Sequence, residues 1–209
     1  MIFKVGLTGG IASGKSTIAA RLRENGIPVL DADRIVRDLY RPGAAGTRAA
    51  TKAFGREVLG PDGGVDRSRL SKKVFGDPGA LARLNALVHP LVFEAQSRWF
   101  EELEKNGERL GVIEATLLVE TGGRNRYDLL IAVSAPEDVR LARALKRSGE
   151  AAIEDLRRRI AAQIPDSERE KAADIVLRSD GTKEELLKKV DELAATLKSE
   201  AKRRAAEQP

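Results

Sequence analysis

The chain has 209 residues, 42% hydrophobic and 33% charged, which leaves room for one well-buried core plus an insertion and excludes a disordered chain. It has no cysteine, which excludes disulfides, thiolate catalysis and cysteine-held metals, and no apolar run nears the roughly 20 residues of a membrane span. A net charge of +5 suits a protein that handles polyanions, but aromatic residues are only 4%, so the expected anions are small molecules rather than nucleic acid.

Ile2–Leu7 reads as a first strand, and no signal-peptide pattern marks this end, so a cytoplasmic location is expected. The strand runs into GLTGGIASGKST, residues 6–17, and a helix follows by Ile18. Gly9, four residues, then Gly14-Lys15-Ser16 fits G-x-x-x-x-G-K-[ST]. Glycines let successive backbone N–H groups turn inward as an anion nest, and the following helix adds the positive end of its dipole. Gly9, Gly10, Ile11, Ala12, Ser13, Gly14, Lys15, Ser16 and Thr17 are therefore expected to cradle the phosphates of a nucleoside triphosphate. Lys15 supplies a point charge to the β- and γ-phosphates, and the Ser16 hydroxyl is a candidate ligand for Mg²⁺.

Ile27–Leu30 reads as a second strand, followed by Asp31-Ala32-Asp33. Open α/β sheets present ligands at the carboxyl ends of their strands, so either acid is placed to orient an acceptor hydroxyl and take its proton. Asp33 reads equally well as the N-cap of a helix over Arg34–Leu39, and both readings stand at this point.

Residues 34–107 carry mainly helical patterning, and Leu81, Leu84, Val88, Leu91, Ala95 and Trp99 predict one buried stripe with Trp99 in the core. The segment is too long for a simple crossover and reads as a helical insertion between core segments 1–33 and 108–209. Gly111–Ala115, Leu129–Val133 and Ile175–Leu177 complete five strands alternating with helices, which predicts a three-layer α/β fold around a parallel five-stranded sheet.

A lid is expected at about 137–171, where Arg140, Arg143, Lys146, Arg147, Arg157, Arg158 and Arg159 face Glu150, Glu154 and Asp155. One or two of these arginines can offset charge on a transferred phosphoryl group, and the rest suit a solvated face with pairs such as Glu154–Arg158. In the last helix Leu186, Val190, Leu193, Leu197 and Ala201 form a core stripe, while the mixed-charge run from Lys198 to Pro209 is expected to fray.

Phosphate binding does not by itself name a function. No Asn-Lys-x-Asp is present to read guanine, and the strand Gly111–Ala115 holds only Glu114, without the adjacent acids of a motor ATPase. An acceptor subdomain, a carboxylate after the second strand and an Arg-rich lid are the parts of a small-molecule kinase.

The motifs together closely resemble the dephospho-CoA kinase family. The likeness spans nearly the whole chain: the glycine loop, D-A-D-x-I, Pro42-Gly43, Phe54-Gly55, Asp62-Gly63, Asp66-Arg67, Val74-Phe75, His89-Pro90, Leu117-Leu118-Val119-Glu120 and Ala173-Asp174. The resemblance implies transfer of the ATP γ-phosphate, with Mg²⁺, to the ribose 3′-hydroxyl of dephospho-CoA. It assigns Asp33 as base or orienting carboxylate, Lys15 as the phosphate-stabilising lysine and Arg143 as the arginine on the transferred phosphate. It places Asp31, Asp33, His89, Leu117, Leu118 and Glu120 at the acceptor, with His89, the only histidine, shaping that site rather than transferring protons.

The implied partner is this small molecule, with no nucleic acid or membrane, in a monomer or small homo-oligomer. Thr116 stands where the family usually has Pro, and Arg178-Ser179 replace Asp-Asn in the loop the resemblance puts near the base. Two other readings remain open from sequence: a kinase for another small hydroxyl acceptor such as a nucleoside monophosphate, and a nucleotide-dependent binding protein that engages nucleic acid.

Overall fold

The computed structural model describes residues 1–74, 76–148 and 153–207. Phe75, Glu150 and Pro209, which entered the sequence reading, lie outside the described residues. The chain divides into two units, one of Met1–Leu30 with Glu102–Pro209 and one of Asp31–Glu101.

The first unit is built on a parallel sheet of five strands in the order β2-β3-β1-β4-β5. The strands are β1 (Phe3–Gly9), β2 (Val29–Asp31, whose last residue belongs to the second unit), β3 (Leu110–Glu114), β4 (Leu129–Ser134) and β5 (Ile175–Arg178). Central β1 pairs with β3, Val5 opposite Val112, and with β4, Val5 opposite Leu129. All of its residues but Lys4 are buried because a central parallel strand is covered on both faces. On one face Phe3, Val5, Leu7, Val112, Ile131 and Val133 pack with α1 (Lys15–Glu24) and α9 (Lys183–Ala206) through Ile18, Leu22, Val190, Leu193 and Leu197. The other face is shared by Leu118 and Tyr127, which close over Gly6; a β-carbon there would come within 2.9 Å of Leu130 and 3.1 Å of both. Helix α8 (Asp166–Ala172) lies against β1 and β4. Burial pushes the Tyr127 phenol up to about 12, so it stays neutral inside the fold.

The last helix corrects the expectation of fraying. It continues to Ala206, buries Ala201, and stacks the Arg204 guanidinium 4.5 Å from the Phe3 ring centroid. The charges that read as a solvated tail pair with each other: Glu200 accepts from Arg203 at 2.7 Å and from Arg204 at 2.8 Å.

The second unit is helical, with α2 (Ala32–Leu39), α3 (Ala45–Phe54), α4 (Arg67–Val74) and most of α5 (Pro78–Lys105). The buried face of α5 differs from the predicted stripe. Ala80, Val88, Val92, Gln96 and Phe100 are buried, whereas Leu81 is exposed and Leu91, Ala95 and Trp99 are only partly covered. Trp99 is thus a flanking residue, tilted against Phe100 with ring centroids 5.1 Å apart, and Phe100 takes the core position. Pro90 lies inside α5 and offers no N–H to the Ala86 carbonyl; both residues are on the exposed side, where water can serve that carbonyl.

Candidate active site

The glycine loop joins β1 to α1. Gly9 has φ +155° and a β-carbon there would sit 2.5 Å from the Val133 carbonyl oxygen. Gly14, at φ +106°, is the N-cap of α1 and gives it no side-chain cap; nor does the first turn carry an acid. An uncapped helix start without a carboxylate leaves N–H donors and the positive dipole end for an anion. Helix α9 shows the opposite solution: Thr182 and Glu185 form a reciprocal capping box. Lys15 is buried and folds back over the loop, its Nζ donating to the carbonyls of Gly9 at 2.6 Å and Gly10 at 3.0 Å.

A cleft of about 360 Å³ opens beside this loop, lined by Ala12 to Thr17, by Arg143 and Lys146 of α6 (Glu137–Ser148), and by Ser179, Thr182, Lys183 and Leu186. Arg143 donates to the Ser179 hydroxyl at 3.1 Å, and a β-carbon on Gly14 would be 2.8 Å from that same hydroxyl. Ser179 therefore closes the wall where the loop, α6 and the turn after β5 meet.

The comparisons with known proteins agree over the length of the chain. The family model for dephospho-CoA kinase matches residues 3–185. Dephospho-CoA kinases of Anaeromyxobacter dehalogenans and Corynebacterium glutamicum are 42% and 40% identical, over 98% and 95% of this chain and 97% and 98% of their own. The chain belongs to the dephospho-CoA kinase family. A crystal structure from Thermus thermophilus, 35% identical, aligns at a TM-score of 0.75 over 94% of this chain and 98% of its own. A shikimate kinase from Acinetobacter baumannii, 16% identical with a TM-score of 0.54 over 94% of each chain, shares the fold. The expected α/β architecture around a parallel five-stranded sheet is thus the observed one.

Membership of this kinase family sharpens the question of which residues sit where. Asp31, not Asp33, caps α2: its Oδ1 accepts from the Asp33 N–H at 2.8 Å, and Arg37 lies 3.5 Å from its other oxygen. The helix starts at Ala32, so the reading of Asp33 as a cap before Arg34 is corrected. Asp33 is exposed in the first turn, and its carboxylate has no hydrogen bond or ion pair among the described residues. His89 is half-buried on α5, its ring 6.0 Å from that of Phe93.

The Leu117–Glu120 turn splits its residues between three environments. Leu117 is 49% exposed, while Leu118 is 4% exposed and packs under β1 against Gly6. One oxygen of Glu120 accepts from Arg169 at 2.8 Å. At the start of the turn the Thr8 hydroxyl donates to the Thr116 carbonyl at 3.2 Å. Of the lid cations, Arg143 and Lys146 line the cleft, Arg140 is buried away from it, and Arg157, Arg158 and Arg159 are exposed; the side chains of Arg147 and Asp155 lie outside the described set.

Glu114 escaped the sequence reading, which weighed it only against a motor ATPase. It ends β3, next to β1, and its Oε1 is 3.4 Å from the Ser16 hydroxyl. A hydroxyl and a carboxylate so close are hard oxygen donors that fit Mg²⁺, which takes few protein ligands and completes its shell with water and phosphates. No cluster of three or more His, Cys, Asp or Glu suited to a metal exists among the described residues. The available signal was an acid at the carboxyl end of the strand beside the loop strand. No described helix is long and apolar enough to cross a membrane.

Proposed function

We propose that this chain transfers the γ-phosphoryl group of ATP to the ribose 3′-hydroxyl of dephospho-CoA, giving coenzyme A and ADP, the last step of coenzyme A synthesis, in the cytoplasm. The observation that carries the phosphate half of this reading is the uncapped start of α1, with the Lys15 amine folded over the same loop. Family membership supports the acceptor, because the relatives that cover nearly the full chain are named dephospho-CoA kinases.

In this mechanism the loop N–H groups bind the β-phosphate, and Lys15 exchanges the Gly9 and Gly10 carbonyls for phosphoryl oxygens. Ser16 and Glu114 would hold Mg²⁺, whose charge would offset that of the phosphates. Arg143 is the one lid arginine lining the cleft among the described residues and is assigned to charge developing on the transferred group. Asp33, free of capping, orients the 3′-hydroxyl and receives its proton as the new O–P bond forms. The helical unit Asp31–Glu101, with His89, is assigned to the acceptor.

The test is ADP release with Mg·ATP and dephospho-CoA, run beside AMP, CMP and no-acceptor controls. Turnover confined to dephospho-CoA is expected. Turnover with a nucleoside monophosphate instead would keep a kinase and discard this acceptor, and silence with all of them would remove the proposal.

A further inference from the structure

Arg140 opens the basic run of the lid, yet it is 5% exposed and its guanidinium points into the fold. A buried arginine is tolerable only when its donors are used. Here Nε donates to the Ile11 carbonyl at 2.9 Å, one terminal nitrogen to Asp166 at 3.0 Å and the other to the Gln163 side-chain oxygen at 3.1 Å. That same Gln163 oxygen accepts from the Ile11 N–H at 2.9 Å. Both backbone groups of Ile11 are therefore held by side chains from outside the loop, and the two side chains are bonded to each other.

Two further features of the loop fit this arrangement. Ala12, next to the held residue, has φ +60°, alone among the described non-glycine residues in being positive. A β-carbon disfavours that conformation, and such residues persist where their surroundings over-determine them. Gly10 lies directly under the guanidinium: a β-carbon there would come within 2.4 Å of Arg140. Below the clamp, Ile11 and Ala12 pack on Ala144, Leu156 and Ile160 of α6 and α7 (Ile153–Ala161). The far side is braced as well, since Asp166 also pairs with Arg169, and Arg169 with Glu120.

We propose that Arg140 and Gln163 form a clamp that fixes the Ile11–Ala12 backbone in its phosphate-accepting shape. They are positioning residues: they set nucleotide affinity through the loop, without touching the nucleotide. The inference rests on the nucleotide-binding role given to the loop above, and it gives the first arginine of the lid a task separate from that of Arg143.

The test compares Arg140→Met and Gln163→Met with the parent chain, measuring Mg·ADP affinity by calorimetry, KM for both substrates, and thermal stability. Losing a buried hydrogen bond that shapes the loop should weaken Mg·ADP binding about tenfold in each variant, with KM for dephospho-CoA within about twofold. Because both act on one peptide, the double variant should lose less than the product of the single losses. Gln163→Met removes no charge and keeps the Arg140–Asp166 pair, so it remains informative if Arg140→Met fails to fold. Parental Mg·ADP affinity in a folded variant would overturn the clamp. So would a fall in both substrates' affinities that merely tracks lost stability. A parent chain that binds no Mg·ADP would overturn the nucleotide-binding reading itself, which keeps the two failures apart.

Discussion

The carboxylate of Asp33 owes its freedom to its neighbour. Asp31 accepts the N–H that an N-cap must satisfy, and Asp33 follows in the first turn with an exposed carboxylate. Under the proposed mechanism the two acids separate into a structural and a chemical role, and substitution should separate them too. Asp33→Asn keeps the helix and removes the proton acceptor, so kcat should fall by about a hundredfold or more with Mg·ADP affinity unchanged. Asp31→Ala should instead cost about 1 kcal/mol of stability, the usual loss for a missing cap, read as a lower Tm. If Asp33→Asn kept parental turnover, the proton would have another destination. The Ser16–Glu114 pair makes a parallel case. Glu114→Gln should raise the Mg²⁺ concentration needed for half-maximal turnover several-fold at saturating ATP. An unchanged Mg²⁺ titration would remove Glu114 from the metal site.

At the scale of elements, the end of α9 shows how a polar run becomes fixed structure. Hydrogen bonds from Arg203 and then Arg204 lower the Glu200 carboxyl from an ordinary 4.5 to about 2. A depressed carboxyl stabilises the folded state fully above its unfolded value and loses that contribution as pH falls through the folded one. The Tm gap between the parent chain and Glu200→Gln should thus be constant above about pH 5 and close between there and pH 2, where both sides carry a neutral group. A gap independent of pH would assign the effect of Glu200 to packing.

The strands, the glycine loop and the upper part of α9 were legible in the sequence because each is specified locally, by continuous apolar runs or by glycine spacing. The buried face of α5 was not. Its core line passes through Gln96, a polar residue that breaks the hydrophobic pattern, so Leu91, Ala95 and Trp99 offered a more apolar but wrong stripe. Arg140 and Arg169 were illegible for a related reason: an arginine in a charged run, basic around Arg140 and mixed around Arg169, reads as solvated, and only tertiary partners such as Asp166 and Glu120 make its burial possible. The acidic partner of Ser16 was missed because Glu114 lies 98 positions away, and pairing between β1 and β3 brings it near.

At the scale of the whole molecule, the proposed function assigns the two substrates to differently built units. The sheet unit holds the loop and cleft, while the unit of Asp31–Glu101 has helices, the exposed Asp33 and the half-buried His89. Ligands that bind the native state protect the segments they order, so hydrogen exchange can map each ligand separately. Mg·ADP should slow exchange in the loop, the first turn of α1 and α6, with little change in α3 and α4. Dephospho-CoA alone should slow exchange within Asp31–Glu101, including the turn of α5 around His89. Were dephospho-CoA to protect only segments of the sheet unit, the helical unit would lose its role as acceptor site. Asp33 would then have to act on an acceptor bound elsewhere. Protection of both units by dephospho-CoA alone, with none added by Mg·ADP, would mean that the acceptor also occupies the cleft, and the separation of substrates by unit would fail.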